Sequence, residues 1–333
     1  MKLFKKLGID LGTANSVVWE VGKGIVLNEP TIVALGIEQR KVLAVGMEAK
    51  NMLGKTPEYI EVVRPLEDGV IADYEVTEAM LRYFMKQVMG NKWFFGPEVM
   101  ICVPAGVTQV EQRAVLDAAL SAGARKAYLI DEPLAAAIGA KIPVSDAFGN
   151  MIVDIGGGAA EAAVISLGGV VTHKSVKMGG NKLDLAIMDF LKKKFNLIIG
   201  EQTAEMIKIK LGSAIKPKKN ETLEINGRDS IYGLPKNLVV DNEMVYEAIS
   251  SILEVVIMMI RDTLEITPPE LVADIVDRGI VLSGGTVQLK NFNALVTREI
   301  GVSAHVAPEP QFCVIKGTGI ALENLDVYRR AVR

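Results

Sequence analysis

Two aspartates, each followed by a glycine-containing turn, carry the clearest chemical pattern in this 333-residue sequence. Asp10 lies in the apolar run 7–11, and the turn after it has the sequence Gly12, Thr13, Ala14, Asn15. Residues 16–21 are rich in β-branched side chains and predict a returning strand, so that the stretch forms a β-hairpin. Because glycine permits close backbone approach, the N–H groups of this turn can bind a phosphate.

A second copy of this pattern occurs at residues 152–158, where Asp154 precedes Gly156, Gly157 and Gly158. Two such hairpins facing each other would hold a polyphosphate, with Asp10 and Asp154 reaching a Mg²⁺ through its waters. One copy alone is equally typical of an ordinary hairpin with a buried aspartate, and the repetition favours the binding site. A third turn, Ser283-Gly284-Gly285-Thr286, could let a flat base approach the backbone.

Two adjacent carboxylates, Asp131 and Glu132, follow the apolar run 127–130 and precede Pro133 and an alanine-rich helix. They are expected at the carboxyl end of a buried strand, where open α/β sheets bind their ligands. Both are candidates for orienting a water or a hydroxyl. Capping of the following helix is the alternative role, and it accounts for one of the two carboxylates.

The remaining pattern predicts an alternation of strands and helices. A helix over 77–89 is predicted with Thr77 as its cap. In the helix over 201–213, Glu205 and Lys208 share one face, while residues 317–325 are predicted as a glycine turn and a short helix. Residues 24–46 contain three short β-like runs and predict a small strand-rich insertion.

Three consecutive aromatics, Trp93, Phe94 and Phe95, lie between Gly90 and Gly96. They predict an exposed tip that contacts a membrane, since Trp and Phe favour the interface. Lysines near this loop and near the amino terminus would add attraction to anionic lipid; they are Lys2, Lys5, Lys6 and Lys92. The alternative is a loop folded back on its own core.

Composition excludes several classes of protein. The net charge of −3 and the dispersed basic residues argue against a nucleic-acid partner. Cys102 and Cys313 lack metal-ligand spacing and are interpreted as reduced core residues of a cytosolic protein. No apolar run is long enough to span a bilayer, and no signal-peptide core is expected at the amino terminus. The length favours two domains.

Together these motifs resemble the actin, Hsp70 and sugar-kinase superfamily, and within it the bacterial actin MreB family. Single motifs are weakly specific, but their order and spacing extend the resemblance over essentially the whole chain. The matching blocks are residues 8–16, 22–30, 64–73, 101–104, 131–139, 154–158, 203–213 and 277–285.

The resemblance implies an α/β actin-like ATPase fold, with two RNase H-like domains that each carry a small insertion, giving four subdomains around a nucleotide cleft. The implied first domain comprises residues 1–140 and 312–333, with its insertion at about 24–71. The second comprises residues 141–311, with its insertion at about 182–240. The implied function is an ATP-dependent filament of identical chains at the inner face of the cell membrane that controls cell shape. Other cytoskeletal or membrane proteins are candidate partners.

The resemblance also implies a role for each site residue. Asp10 and Asp154 are the metal-side carboxylates for Mg²⁺, and Glu132, with Asp131 beside it, is placed to arrange the attacking water. The residues expected to bind ATP or ADP are Gly12, Thr13, Ala14, Asn15, Gly156, Gly157, Gly158, Glu205, Lys208, Gly284, Gly285 and Thr286.

Four positions depart from the family pattern. Ala159 and Ala160 replace two threonines, Asp131 replaces a glutamate, and Thr286 replaces a glycine. The hydroxyl that would help Glu132 hold the water is therefore absent, and slow hydrolysis is predicted. Relatives in wall-less helical bacteria diverge at such positions. The rival hypothesis is a sugar-type kinase of the same superfamily with Asp131 as general base. A chaperone is less favoured because no peptide-binding domain follows.

Overall fold

Two five-stranded sheets form the framework of the molecule. The structure is a computed structural model that describes residues 4–67, 69–90, 96–329 and 332–333. The strands are β1 (Lys6–Leu11), β2 (Asn15–Glu20), β3 (Gly24–Pro30), β4 (Val33–Gly36), β5 (Lys41–Val45), β6 (Ile60–Val63), β7 (Leu66–Glu67), β8 (Val70–Ile71), β9 (Glu98–Val103), β10 (Lys126–Asp131), β11 (Asn150–Ile155), β12 (Ala160–Ser166), β13 (Gly169–Val176), β14 (Leu197–Ile198), β15 (Thr222–Asp229), β16 (Pro235–Asp241), β17 (Ile280–Ser283) and β18 (Ala304–Val306). The helices are α1 (Met47–Met52), α2 (Tyr74–Met89), α3 (Gln109–Ser121), α4 (Glu132–Gly139), α5 (Gly180–Phe195), α6 (Glu201–Leu211), α7 (Asn242–Glu265), α8 (Pro269–Arg278), α9 (Phe292–Ile300) and α10 (Cys313–Glu323).

The two sheets share one topology. The first has the strand order β10-β9-β1-β2-β3 and the second the order β13-β12-β11-β17-β18. In each, the strand that carries the aspartate pairs antiparallel with the next strand in sequence and parallel with a later one. The repeated sequence pattern is therefore a structural repeat, and both predicted hairpins are confirmed.

Two further three-stranded sheets lie outside this framework, β5-β4-β6 and β14-β15-β16. β3, with which the predicted first insertion begins, belongs instead to the first main sheet, where Leu27 pairs with Val18. Leu27 is buried in the first core, and this burial holds β3 on the sheet. The start of the insertion at residue 24 is thus corrected to a point after Pro30. The division into two domains stays a prediction.

Helices α4 and α10 pack between the halves of the framework. α4 contacts strands of both sheets, and α10 contacts β1, β2 and α4. Gly317 lies inside α10 and forms no turn, which corrects the prediction. A Cβ at Gly317 would lie 1.7 Å from the carbonyl oxygen of Ala135 on α4, so the glycine is required for the two backbones to touch.

Helix α2 begins earlier than predicted. Its cap is Asp73, whose side chain accepts a hydrogen bond from the Val76 N–H at 3.1 Å. Thr77, the predicted cap, lies in the first turn and donates its hydroxyl to the Asp73 carbonyl. Aspartate satisfies a free N–H at a helix start, and the apolar spacing does not reveal this extra turn. No helix in the described ranges is long and apolar enough to cross a membrane.

Candidate functional site

A cleft of about 440 Å³ lies between the two halves, lined by the turns of the two repeated hairpins. The structure brings nearly all of the predicted site residues to this cleft. They are Asp10, Gly12, Thr13, Ala14, Asn15, Glu132, Asp154, Gly156, Gly157, Gly158, Glu205, Lys208, Gly284, Gly285 and Thr286. The exception is Asp131.

The two hairpin turns touch each other in the cleft. A Cβ at Gly158 would lie 2.5 Å from Thr13 Oγ1, and a Cβ at Gly157 would lie 2.6 Å from the Cβ of Ala14. Only glycine allows this approach. The backbones of both turns therefore border one region of the cleft, and successive backbone N–H groups in such turns can bind a phosphate.

Asp10 and Asp154 occupy equivalent places near the ends of β1 and β11. Burial raises the pKa of Asp10 to about 7 and the pKa of Asp154 to about 6. Asp10 Oδ1 accepts a hydrogen bond from the Cys102 thiol at 3.3 Å, and Asp154 Oδ1 has no hydrogen-bond partner. Among the described residues, no group of three or more histidine, cysteine, aspartate or glutamate side chains could hold a metal by itself.

The third glycine turn is fixed against the second. Gly284 has a φ of +91°, and a Cβ there would lie 2.3 Å from the Ile155 carbonyl oxygen. Thr286 Oγ1 donates to the Gly156 carbonyl at 2.8 Å. The turn therefore lines the cleft with its threonine hydroxyl already engaged, and its contact with a flat base stays a prediction.

Glu205 and Lys208 both reach the cleft from α6, but each has a protein partner. Lys208 Nζ donates to Asp184 Oδ2 at 2.8 Å and to the Gly180 carbonyl at 3.0 Å. Glu205 Oε2 lies 3.0 Å from Nζ of Lys50, a residue of helix α1 that lines a neighbouring cavity. Any ligand that contacts this pair of side chains therefore competes with contacts that already exist.

Asp131 and Glu132 point to different places. Glu132 begins α4 and lines the cleft, and burial together with the charges of Glu161, Asp154 and Asp10 raises its pKa well above the ordinary value. Asp131 lies outside the cleft lining, where its Oδ2 accepts a hydrogen bond from the Arg333 guanidinium at 3.0 Å. The expectation that both carboxylates enter the site is corrected, because their adjacent side chains diverge at the strand–helix junction.

Glu161 is a cleft residue that the sequence reasoning missed. It lies on β12 directly opposite Asp154, is 5% exposed and lines the cleft. Neither of its carboxyl oxygens makes a hydrogen bond of ordinary geometry, and burial raises its pKa to about 8 although the nearby Ala105 backbone N–H acts in the opposite direction. The signal was available in the hairpin register, since a turn over 156–159 places residue 161 across from residue 154.

The structure does not describe the predicted membrane loop. Trp93, Phe94 and Phe95 lie outside the described residues, as do Lys2 and Lys92. Their contact with a membrane stays a prediction.

The paired sheets and the hairpin-lined cleft define an actin-like fold. Residues 4–330 match the MreB/Mbl protein family, and the chain belongs to that family. It is 47% identical over 330 residues to the cell shape-determining protein Mbl of Bacillus cereus, covering 99% of each chain.

Solved structures agree with this assignment. MreB5 of Spiroplasma citri, crystallised with ADP, superposes with a TM-score of 0.92 at 32% identity over 98% of each chain. The MamK double helical filament shares the fold, with a TM-score of 0.79 at 23% identity over 96% of this chain and 98% of that one. The sugar-type kinase hypothesis finds no support in these comparisons.

Proposed function

We propose that this protein is an ATP-binding, actin-like cytoskeletal protein that polymerises into membrane-associated filaments controlling cell shape and hydrolyses ATP slowly. The observation that carries the proposal is the meeting of two aspartate–glycine hairpins in one cleft of an MreB/Mbl family member. The relatives supply the biological context, since Mbl of Bacillus cereus is a cell shape-determining protein.

The cleft suits an adenine nucleotide. MreB5 of Spiroplasma citri has been crystallised with ADP and with AMPPNP. In this chain the turns at residues 12–15 and 156–158 would hold the phosphates through backbone N–H groups. The turn at Gly284 and Gly285 would face the adenosine, with Glu205 and Lys208 beside it.

A Mg²⁺ ion fits the pair formed by Asp10 and Asp154. Asp154 keeps one buried oxygen without a partner, and burial raises both aspartate pKa values, so a nearby cation would favour the charged forms. Two carboxylates with waters and phosphate oxygens are the ligand set that Mg²⁺ adopts in nucleotide sites. The ion would neutralise charge on the phosphates, while Asp10 and Asp154 would hold its waters in place.

Glu132 is the residue that orients the attacking water in this proposal. It lines the cleft from the first turn of α4. Ala159 supplies no hydroxyl at the end of the second hairpin turn, so one hydrogen bond to the water is missing relative to a chain with threonine there. Loss of one such bond in a transition state costs about 2.7–4 kcal/mol, which is why we propose slow turnover.

Filaments of this protein are proposed to lie at the inner face of the cell membrane. The apolar contact is assigned to Trp93, Phe94 and Phe95, which combine large apolar area with a preference for the interface. Lys6 would attract anionic headgroups, whereas Lys5 Nζ is already engaged by Glu20 and by the Val88 carbonyl. Self-association fits the fold, since MamK builds a double helical filament from chains of the same architecture.

One experiment separates binding from assembly. The purified chain is melted with and without saturating Mg-ATP, and the same samples are sedimented at high speed. A ligand that binds only the folded state raises the melting temperature, and Asp10→Ala should reduce the rise. Pelleting that depends on ATP supports the filament. A melting temperature indifferent to Mg-ATP would refute the nucleotide assignment, and a bound but never sedimenting protein would refute polymerisation.

A further inference from the structure

The attacking water needs a second partner, and the structure removes two obvious candidates for it. Asp131 is paired with Arg333 outside the cleft. Thr286 donates its hydroxyl to the Gly156 carbonyl. Ala159 has no polar side chain to offer. Hydrolysis with Glu132 as the only oriented partner would leave one of the two water protons without a fixed acceptor.

Glu161 lies where such an acceptor is required. β12 and β11 hold it opposite Asp154, and it lines the same cleft as Glu132. It is two residues beyond Ala159, at the far end of the second hairpin turn. Glu161 and Glu132 therefore border the same space, and each interacts electrostatically with Asp154.

The burial of Glu161 has little support within the protein. The side chain is 5% exposed, and neither oxygen makes a hydrogen bond of ordinary geometry, although the nearby backbone N–H of Ala105 partly offsets the rise in its pKa. A buried polar group without a partner destabilises the folded state, and an apolar residue at this position of β12 would avoid that cost. The neighbouring strand residues Ala160 and Ala162 are apolar and fully buried. The unpartnered oxygens therefore point to a molecule that enters the cleft.

We propose that Glu161 is a catalytic residue of ATP hydrolysis, which accepts one hydrogen bond from the attacking water while Glu132 accepts the other. This inference rests on the proposed nucleotide function of the cleft. A carboxyl group offers at least one acceptor oxygen in either protonation state, so the role does not depend on ionisation. Glu161 thus offsets part of what Ala159 lacks, and turnover stays slower than in a chain with a threonine hydroxyl at residue 159.

The reaction balances as a direct hydrolysis. The water oxygen forms a bond to the γ-phosphorus, and the bond from that phosphorus to the β–γ bridging oxygen breaks. The bridging oxygen leaves with ADP. The attacking oxygen keeps one proton, and its other proton passes to solvent along the carboxyl groups that held the water. Glu161 and Glu132 direct the lone pair of the water toward phosphorus by fixing both of its protons.

The test replaces Glu161 by an apolar side chain of similar length. Glu161→Met removes both acceptor oxygens, and it should raise the melting temperature of the protein without nucleotide because an unpartnered buried carboxyl is lost. Phosphate release in a single turnover should fall about a hundredfold, as for loss of one positioned transition-state hydrogen bond. The rise in melting temperature caused by Mg-ATP should be unchanged. Higher stability with lower activity is not expected of a merely structural residue.

Rescue and control variants sharpen the test. Ala159→Thr supplies a hydroxyl, so it should restore phosphate release more strongly in the Glu161→Met background than in the wild type. Glu20→Gln is the control, because Glu20 is a buried carboxylate outside the cleft that Lys5 and Lys23 already pair. Its single-turnover rate should equal that of the wild type.

Each result has a defined meaning. Unchanged phosphate release in Glu161→Met, or equal effects of Ala159→Thr in both backgrounds, would overturn the role of Glu161. If Glu161→Met fails to fold, Glu161→Asp, which withdraws the oxygens by one methylene, decides by the same rate measurement. Absence of any Mg-ATP effect on wild-type melting would instead refute the proposed function, so the two failures are distinguishable.

Discussion

Lys50 of helix α1 and Glu205 of helix α6 form an ion pair beside the cleft, with 3.0 Å between Lys50 Nζ and Glu205 Oε2. Two further contacts cross nearby. Arg64 pairs with Glu201 at 2.8 Å, and the Gln202 amide donates to the Lys50 carbonyl at 2.9 Å. These three polar contacts join the first insertion to helix α6, and one of them uses Glu205, a residue proposed to face the adenosine.

We expect Lys50→Ala to accelerate nucleotide dissociation. The Lys50 and Glu205 side chains are 32% and 43% exposed, so the pair contributes at most about 1 kcal/mol, or roughly a fivefold change in rate. Stopped-flow dissociation of a fluorescent ATP analogue measures it. Lys194→Ala is the control, because it removes an exposed pair with Glu247 elsewhere in the same half. Identical dissociation rates for both variants would show that the pair does not gate the cleft.

Hydrolysis should respond to residues 132 and 159 in opposite directions. Glu132→Ala should remove most phosphate release, because the water loses its principal partner. Ala159→Thr should raise turnover with little change in nucleotide affinity, since the added hydroxyl acts on the water and not on ATP. Phosphate-release assays paired with binding titrations check both. Brisk wild-type turnover that neither change affects would mean that other residues hold the water.

Gly317→Ala should destabilise the protein strongly. The added Cβ would meet the Ala135 carbonyl oxygen at 1.7 Å, backbone against backbone, with no side chain that can move aside. Overpacking of this kind costs about 1–3 kcal/mol or more. Gly169→Ala is a matched control, since a Cβ there has nothing within 4 Å. Chemical denaturation of both variants provides the comparison, and equal stabilities would contradict the close contact of α4 and α10.

Asp184 should make stability depend on pH. Burial raises its pKa from 3.8 to about 6 despite the partner Lys208. A carboxyl with a raised folded pKa contributes stability that is complete below pH 3.8 and is lost as the pH rises through 6. Two pKa units correspond to about 3 kcal/mol. Relative to Asp184→Asn, the wild type should therefore gain stability as the pH falls through this window. A constant difference in free energy of unfolding between the two proteins would show that Asp184 titrates normally.

Membrane binding should depend on the aromatic loop. Replacing Trp93, Phe94 and Phe95 by serine should abolish co-sedimentation with vesicles that contain anionic lipid, because the apolar contact is lost. Polymerisation in the absence of vesicles should be unaffected. A triple variant that instead melts far below the wild type would identify the loop as part of the core, which is the alternative interpretation.

Much of the site was readable in the sequence because its chemistry is local. An apolar strand, an aspartate, a glycine turn and a returning strand fix one another within about a dozen residues through hairpin pairing. Asp10, Asp154 and the glycines around them were therefore assignable from their own neighbourhoods. The repetition of the pattern also predicted two similar halves, which the shared strand order confirms.

The tertiary structure decided those side-chain positions and partners that depend on residues distant in the chain. Asp131 and Glu132 are adjacent in sequence, but only Glu132 lines the cleft. Asp131 lies outside it, paired with Arg333 from the far end of the chain. The helical role of Gly317 follows from contact with Ala135, a residue far away in the chain. From the sequence, Glu161 is an ordinary strand residue. Only the structure shows that its carboxyl oxygens are buried without a hydrogen bond of ordinary geometry. Sequence determines local pairing and turn chemistry, whereas burial and partner choice are set when separate segments pack together.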